Sequence, residues 1–119
     1  DRIEHGLRPL RFDPVLSTLA RWRSRDMAVR GYFSHDLPGG GMVFDRLDDR
    51  GYCYINAGEN VGWTTAGDVM AARDIEARFM ASPGHRKLIL GRWDVFGIGA
   101  YKAPDGRTYW TVLFADRCS

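Results

Sequence analysis

The sequence predicts an α+β domain in which a small, mainly antiparallel sheet lies between helical layers, and three observations carry that prediction. The stretch opened by Asp13-Pro14 and closed by Gly31, and the stretch 68–81, both repeat apolar residues near helical spacing. Two β-rich runs, 93–102 and 108–116, flank Ala103-Pro104-Asp105-Gly106-Arg107, whose proline, aspartate and glycine suit a hairpin turn. In the second run Tyr109, Thr111, Leu113 and Ala115 share one face while Trp110, Val112 and Phe114 share the other. Both faces are apolar, so both are covered.

With 119 residues the chain fits one domain, 1–119, large enough to bury roughly two thirds of its unfolded surface. It is 45% hydrophobic and 27% charged, and no apolar run approaches the ~20 residues of a membrane span. The 17 basic and 15 acidic residues are interspersed, so the net charge of +2 forms no footprint for nucleic acid. A monomer that neither binds nucleic acid nor spans a membrane is the expectation. Cys53 and Cys118 match no metal motif. Two readings stand: a bridge worth on the order of 4 kcal/mol, or two reduced small hydrophobes. No signal peptide is visible at Asp1, which decides nothing for a mature or trimmed chain.

In order, Asp1 to His5 read as the tail of a helix whose start lies outside this sequence, with Gly6 at its left-handed cap. Pro9, Leu10 and Phe12 make an extended link. Asp13 then caps a helix with proline at its first position. Val15, Leu16, Leu19, Ala20, Trp22, Met27 and Ala28 form its inner stripe, and Arg21, Arg25, Asp26 and Arg30 its outer face. That face is either solvated or a contact for an acidic partner. After Gly31, Tyr32 and Phe33 embed the segment carrying Ser34, His35 and Asp36. Leu37 to Gly41 lacks the lysine of a phosphate loop and reads as a mobile rim. A short helix over 43–50 buries Phe44 and Leu47 and stops at Gly51, and Tyr52 to Ile55 is a short strand.

Glu59, in Ala57-Gly58-Glu59-Asn60-Val61-Gly62-Trp63, has no nearby positive charge in sequence. It is either buried, with a hydrogen-bond partner or a raised pKa, or exposed on a turn. In the helix 68–81, Val69, Ala72, Ile75, Phe79 and Met80 form the inner stripe, and Glu76 borders it in solvent. Pro83 ends that helix, and His85 sits on a bend anchored by Leu88, Ile89 and Leu90. From the residues alone His85 is either a hydrogen-bonded structural histidine or a ligand or catalyst. Gly97 and Gly99 share one strand face and admit a close neighbour.

Tyr32-Phe33-Ser34-His35, Ala57-Gly58-Glu59-Asn60, Ser82 to Leu90, Phe96-Gly97-Ile98-Gly99 and Tyr109-Trp110-Thr111, in that order, resemble the CAP superfamily of cysteine-rich secretory proteins, antigen 5 and pathogenesis-related 1 proteins, and its bacterial SCP-domain branch in particular. The similarity covers essentially the whole chain. It implies a three-layer α-β-α sandwich, usually secreted or in the cell envelope, with a cleft lined by two histidines and two acidic residues. In some members the histidines hold a divalent metal. By that resemblance His35 and His85 are the cleft histidines and tentative metal ligands, and Glu59 is one acidic residue. Phe79 matches the aromatic residue that precedes the second acid, whose place falls to Ser82, a variation common among bacterial members. Glu76 could substitute only if it pointed into the cleft. Export also favours a Cys53–Cys118 disulfide, and His5 is expected at the surface.

Two imidazoles and a carboxylate brought together from separate loops could bind Zn²⁺ or a similar ion with a place for water, and Glu59 could then be ligand or base. Against this stand the absence of a third nearby histidine and of an H-E-x-x-H helix. Ser34 and Ser82 lie outside any nucleophile elbow. Three functions follow. The first is a secreted, non-enzymatic module binding a small molecule, lipid, peptide or wall component, with or without a metal; the second is a metal-dependent hydrolase using His35, His85 and Glu59. The third is an interaction domain whose polar cluster only holds loops against the sheet.

Overall fold

The computed structural model describes residues 1–118. Its elements are β1 (Arg11–Phe12), α1 (Pro14–Arg30), α2 (Val43–Asp49), β2 (Tyr54–Thr64), α3 (Asp68–Ala81), α4 (Pro83–Ile89), β3 (Val95–Lys102) and β4 (Thr108–Arg117). The four strands form one sheet in the order β1-β3-β4-β2. The β3–β4 hairpin turns at the sequence read for it, and β2 pairs antiparallel with β4 from Tyr54↔Arg117 to Thr64↔Thr108. The link before α1 is itself a short strand, parallel to β3.

Helix α1 starts where its cap predicts. Asp13 Oδ1 accepts from the backbone N–H groups of Val15 and Leu16 at 2.9 and 3.2 Å, and Gly31, at φ 70°, closes the other end. The helix lies on β3 with almost no gap. A β-carbon on Gly97 would stand 2.2 Å from the Leu16 carbonyl carbon, and one on Gly99 would stand 2.2 Å from the Arg21 nitrogen. Small residues on the helix complete the contact, with Ser17 Oγ accepting from Ile98 N–H and Ser24 Oγ donating to the Gly99 carbonyl. Hydroxyls thus satisfy strand groups that a close helix would otherwise bury unpaired.

The sheet is covered on both sides, as its two apolar faces require. Leu16, Leu19 and Ala20 of α1, Val43 and Leu47 of α2 and Val95, Leu113 and Ala115 of the sheet form one core. Ile75 and Phe79 of α3, Ile89 of α4 and Phe114 form the other, with Phe96, Trp110 and Val112 packed against it. The fold is therefore the expected α-β-α sandwich. Cys53 and Cys118 are bridged, with Cα atoms 5.4 Å apart, tying the start of β2 to the end of β4.

Several expectations are corrected. Ile3–His5 is a 3-10 turn, although Gly6 does take the left-handed cap at φ 73°. Helix α3 faces inward through Ala71, Ile75 and Phe79, which are four apart, and Val69, two residues before Ala71, falls on the opposite side and is 93% exposed. Helix α2 ends at Asp49, and Val43 is buried more deeply than Phe44. Within 82–90, Pro83–Ile89 is a helix and not a bend, since Pro83 opens a new helix as readily as it ends the old one.

Candidate functional site

Strand β2 runs on well past the four residues expected of it, and Glu59 lies within it, at the sheet edge. Successive side chains of a strand face opposite sides. Glu59 turns toward the α1 layer and Asn60 toward α4, where its Nδ2 donates to the His85 carbonyl at 3.1 Å.

Glu59 is 4% exposed, and both of its oxygens are engaged. Arg23 of α1, fully buried, donates from Nε to Oε2 at 2.9 Å and from Nη2 to Oε1 at 3.3 Å. His35 Nδ1 donates to Oε1 at 2.8 Å. The same guanidinium reaches the Tyr32 hydroxyl at 2.8 Å and the Ser34 carbonyl, and Tyr32 donates to Asp26 at 2.5 Å. One arginine thus locks the loop that carries His35 onto the strand that carries Glu59. Burial works against its charge, but the hydrogen bond and charge of Glu59 and the neighbouring Tyr32 outweigh burial, and its pKa is raised. The Tyr32 phenol is pushed up to about 12, first by burial and then by its bond to Asp26.

His85 occupies the first turn of α4. Its Nδ1 is 2.9 Å from Ser82 Oγ, and its ring stacks on Phe79 at 4.9 Å between centroids. Burial lowers its pKa, and the charge of nearby His35 lowers it further, against an opposing contact with the Val61 backbone. Beside it is a hollow of about 230 Å³ whose walls include Phe33, Trp63, Arg78, Phe79, Ser82 and His85. Phe33 and Trp63 are half-exposed, and the Arg107 guanidinium lies 4.5 Å from the centre of the Trp63 ring.

Of the residues expected in a common cleft, Ser82 and His85 line this hollow and His35 and Glu59 do not. Glu59 is buried with His35 bonded to it, so the glutamate is a support and not a lining residue. Glu76 lies elsewhere, near Arg2, Leu10 and Phe96. Ser34 Oγ accepts from the Asp36 N–H. His5 is exposed, as expected.

The sequence reading left out Arg23. The available signal was its spacing, since Leu19, Arg23 and Met27 are four apart and the flanking two are buried. A cation on an inward stripe calls for a buried anion.

The donor set does not fit a catalytic zinc centre. Such a centre takes three protein ligands, and Glu59, the natural third, is 4% exposed, outside the walls of the hollow and held through both oxygens by Arg23 and His35. Among the described residues no three His, Cys, Asp or Glu side chains are grouped to hold a metal ion, and no helix is long and apolar enough to cross a membrane.

Comparison with known proteins places this geometry. The family model described as the cysteine-rich secretory protein family, CAP, matches residues 1–114. Protein YkwD of Bacillus subtilis (strain 168) is 37% identical over 117 residues, which are 96% of this chain and 42% of that protein. The membrane protein YlbC of the same organism is 31% identical, over 98% of this chain and 31% of its own length. The chain therefore spans well under half of either relative. An extracellular SCP-domain protein of Bacillus anthracis str. Ames superposes with a TM-score of 0.81 at 30% identity, covering 98% of this chain and 36% of that one. An outer surface protein of Borrelia burgdorferi shares the fold with a TM-score of 0.86 at 19% identity, covering 98% and 84%. With its order of motifs, its sandwich and its matched family model in agreement, the chain belongs to the CAP superfamily and is a bacterial-type SCP domain.

Proposed function

We propose that this domain works outside the cytoplasm as a binding module, and that the hollow beside His85 takes a small molecule, lipid, peptide or cell-wall fragment without covalent chemistry. The observation that carries the reading is the burial of Glu59 under Arg23 and His35, which hold both of its oxygens. Glu59 accepts three hydrogen bonds, is 4% exposed and does not line the hollow, so it is not placed to take a proton from a water or a substrate there, as a general base must. Ser82 and His85 are paired, but among the described residues no carboxylate orients that imidazole as a nucleophile's base is oriented. What the hollow offers instead is recognition surface. Phe33 and Trp63 present aromatic faces for a sugar ring or an apolar side chain, and Arg78 supplies a cation at the wall.

Two supports favour an extracytoplasmic site: the disulfide, which persists in oxidising compartments, and relatives described as extracellular or outer-surface proteins. His35 and His85, each with Nδ1 engaged, could together seat one loosely held divalent cation, zinc or similar, with water completing its shell.

The test is an NMR titration with soluble peptidoglycan fragments and a free wall peptide, read at the Trp63 indole and the histidine rings. Shifts that are lost in Trp63→Ala and accompany no bond cleavage are expected. Zinc uptake is expected to be weak at neutral pH and to vanish near pH 5, where protons compete for imidazole. Chelator-sensitive hydrolysis of these probes, abolished by His85→Ala, would overturn the reading in favour of a hydrolase.

A further inference from the structure

At the sheet edge opposite to β2, segment 7–12, the turn after α4 and the end of β4 enclose an open pocket of about 610 Å³. Four arginines line it, Arg2, Arg8, Arg11 and Arg92, against two aspartates, Asp94 and Asp116. Elsewhere in the molecule five of the eleven arginines, Arg23, Arg30, Arg78, Arg107 and Arg117, meet carboxylates. Among the described residues none of these four does. Arg2 is fixed by carbonyl oxygens alone, with Nε on Arg8 at 2.8 Å and Nη1 on Ile89 and Gly91 at 2.9 and 2.6 Å. Asp94 is partly committed, accepting from the Arg117 N–H at 3.1 Å.

We propose that this pocket binds a polyanion carrying two or more phosphate groups, such as an oligophosphate or a stretch of phosphodiester polymer. Four like charges brought into one concavity repel one another, and a bound anion removes the repulsion. The lowered pKa of Arg2, due to burial and then to the charge of Arg8, is consistent with that strain. The choice of phosphate rests on shape. A carboxylate has two oxygens and is filled by a single guanidinium fork, whereas a phosphate has enough oxygens to meet two forks from different directions. Among the described residues Arg8, Arg11 and Arg92 keep whole forks open and Arg2 keeps Nη2, a set that matches two adjacent phosphates. The position is dictated by short-range sequence: Arg11 lies in β1, paired beside β3, Arg8 precedes it in the same segment, and Arg92 follows Gly91 shortly after α4.

The experiment is calorimetric titration at low salt with inorganic tripolyphosphate, soluble poly(glycerol phosphate), monophosphate and citrate. Binding of tripolyphosphate or of the polymer is expected, at least about tenfold tighter than monophosphate and weakening as salt rises. Preference between the two probes identifies a terminal oligophosphate or a phosphodiester chain as the natural chemistry. Arg8→Ala/Arg92→Ala, whose side chains make no hydrogen bonds that the fold uses, should lose about a hundredfold, taking about tenfold per guanidinium. Arg25→Ala on α1 and His85→Ala should change nothing, which keeps this site separable from the hollow beside His85. Absence of binding, equal binding of citrate, or equal loss in Arg25→Ala would overturn the proposal.

Discussion

Arg23→Met is the most searching perturbation of the site, because it keeps the aliphatic stem and removes only the guanidinium. Four hydrogen bonds disappear: two to Glu59, one to Tyr32 and one to the Ser34 carbonyl. The dominant consequence falls on Glu59, which stays 4% exposed and loses its arginine partner. Deleting one member of a buried pair costs about 3–5 kcal/mol, whereas an exposed pair would cost under about 1 kcal/mol. With an unfolding entropy of about 2.1 cal/mol/K per residue, a chain of this size should lose about 12–20 °C in Tm. Thermal unfolding followed by circular dichroism at pH 7, with the disulfide intact, reads the loss. The companion variant Arg23→Met/Glu59→Gln removes the stranded charge as well and should recover more than half of it. A single variant that loses under about 1 kcal/mol, or a double variant no better than the single, would refute the account of Glu59 as a buried, arginine-held support.

Two further outcomes follow from the packing and the titration. Gly97→Ala forces a β-carbon into the backbone of α1 and should cost at least about 1–3 kcal/mol, while Gly84→Ala, with open space around it in α4, should gain about 0.5–1 kcal/mol; urea unfolding of the pair checks both signs. His85 has a folded-state pKa below its unfolded value near 6.5, so between those values the unfolded chain binds more protons. Its contribution is therefore full above about pH 6.5 and is lost as pH falls through the folded value. The difference in Tm between the parent chain and His85→Gln should shrink from pH 8 to pH 5, and a difference that grows on acidification would contradict the direction.

The sandwich was legible because its signals are local. Asp13-Pro14, Gly31, the Pro-Asp-Gly turn and the two-faced apolar pattern of β4 each dictate a conformation within a few residues. The pairing of Gly97 and Gly99 even indicated which strand a helix would lie against. The strand nature of β2 was less legible, since Asn56, Gly58, Asn60 and Gly62 supply neither alternation nor β-propensity; its conformation comes from pairing with β4. At the site, the histidines and Glu59 could be singled out, but the role of Glu59 could not, because its partner is 36 residues away on a helix face. Charge pairing across that distance leaves no periodic trace, and only a cation set among buried positions announces it.

The register of β2 is where fold and site become one problem. His35 follows α1 in one layer and His85 opens α4 in the other, and each is tied to this edge strand. Adjacent residues make the connection, Glu59 to the His35 segment and Asn60 to the His85 backbone. A glycine-rich strand specifies its register weakly through apolar contacts alone, and a slip of one residue turns every side chain to the opposite face. Here such a slip would carry Glu59 toward the α4 layer and leave Arg23 buried beneath α1 without its anion, at the cost already reckoned for a broken buried pair. The arginine–glutamate pair therefore selects one register from those that the strand would otherwise accept. That selection sets the two imidazoles on either side of the same edge, so removing the pair should loosen the spacing of the histidines before it unfolds the sheet.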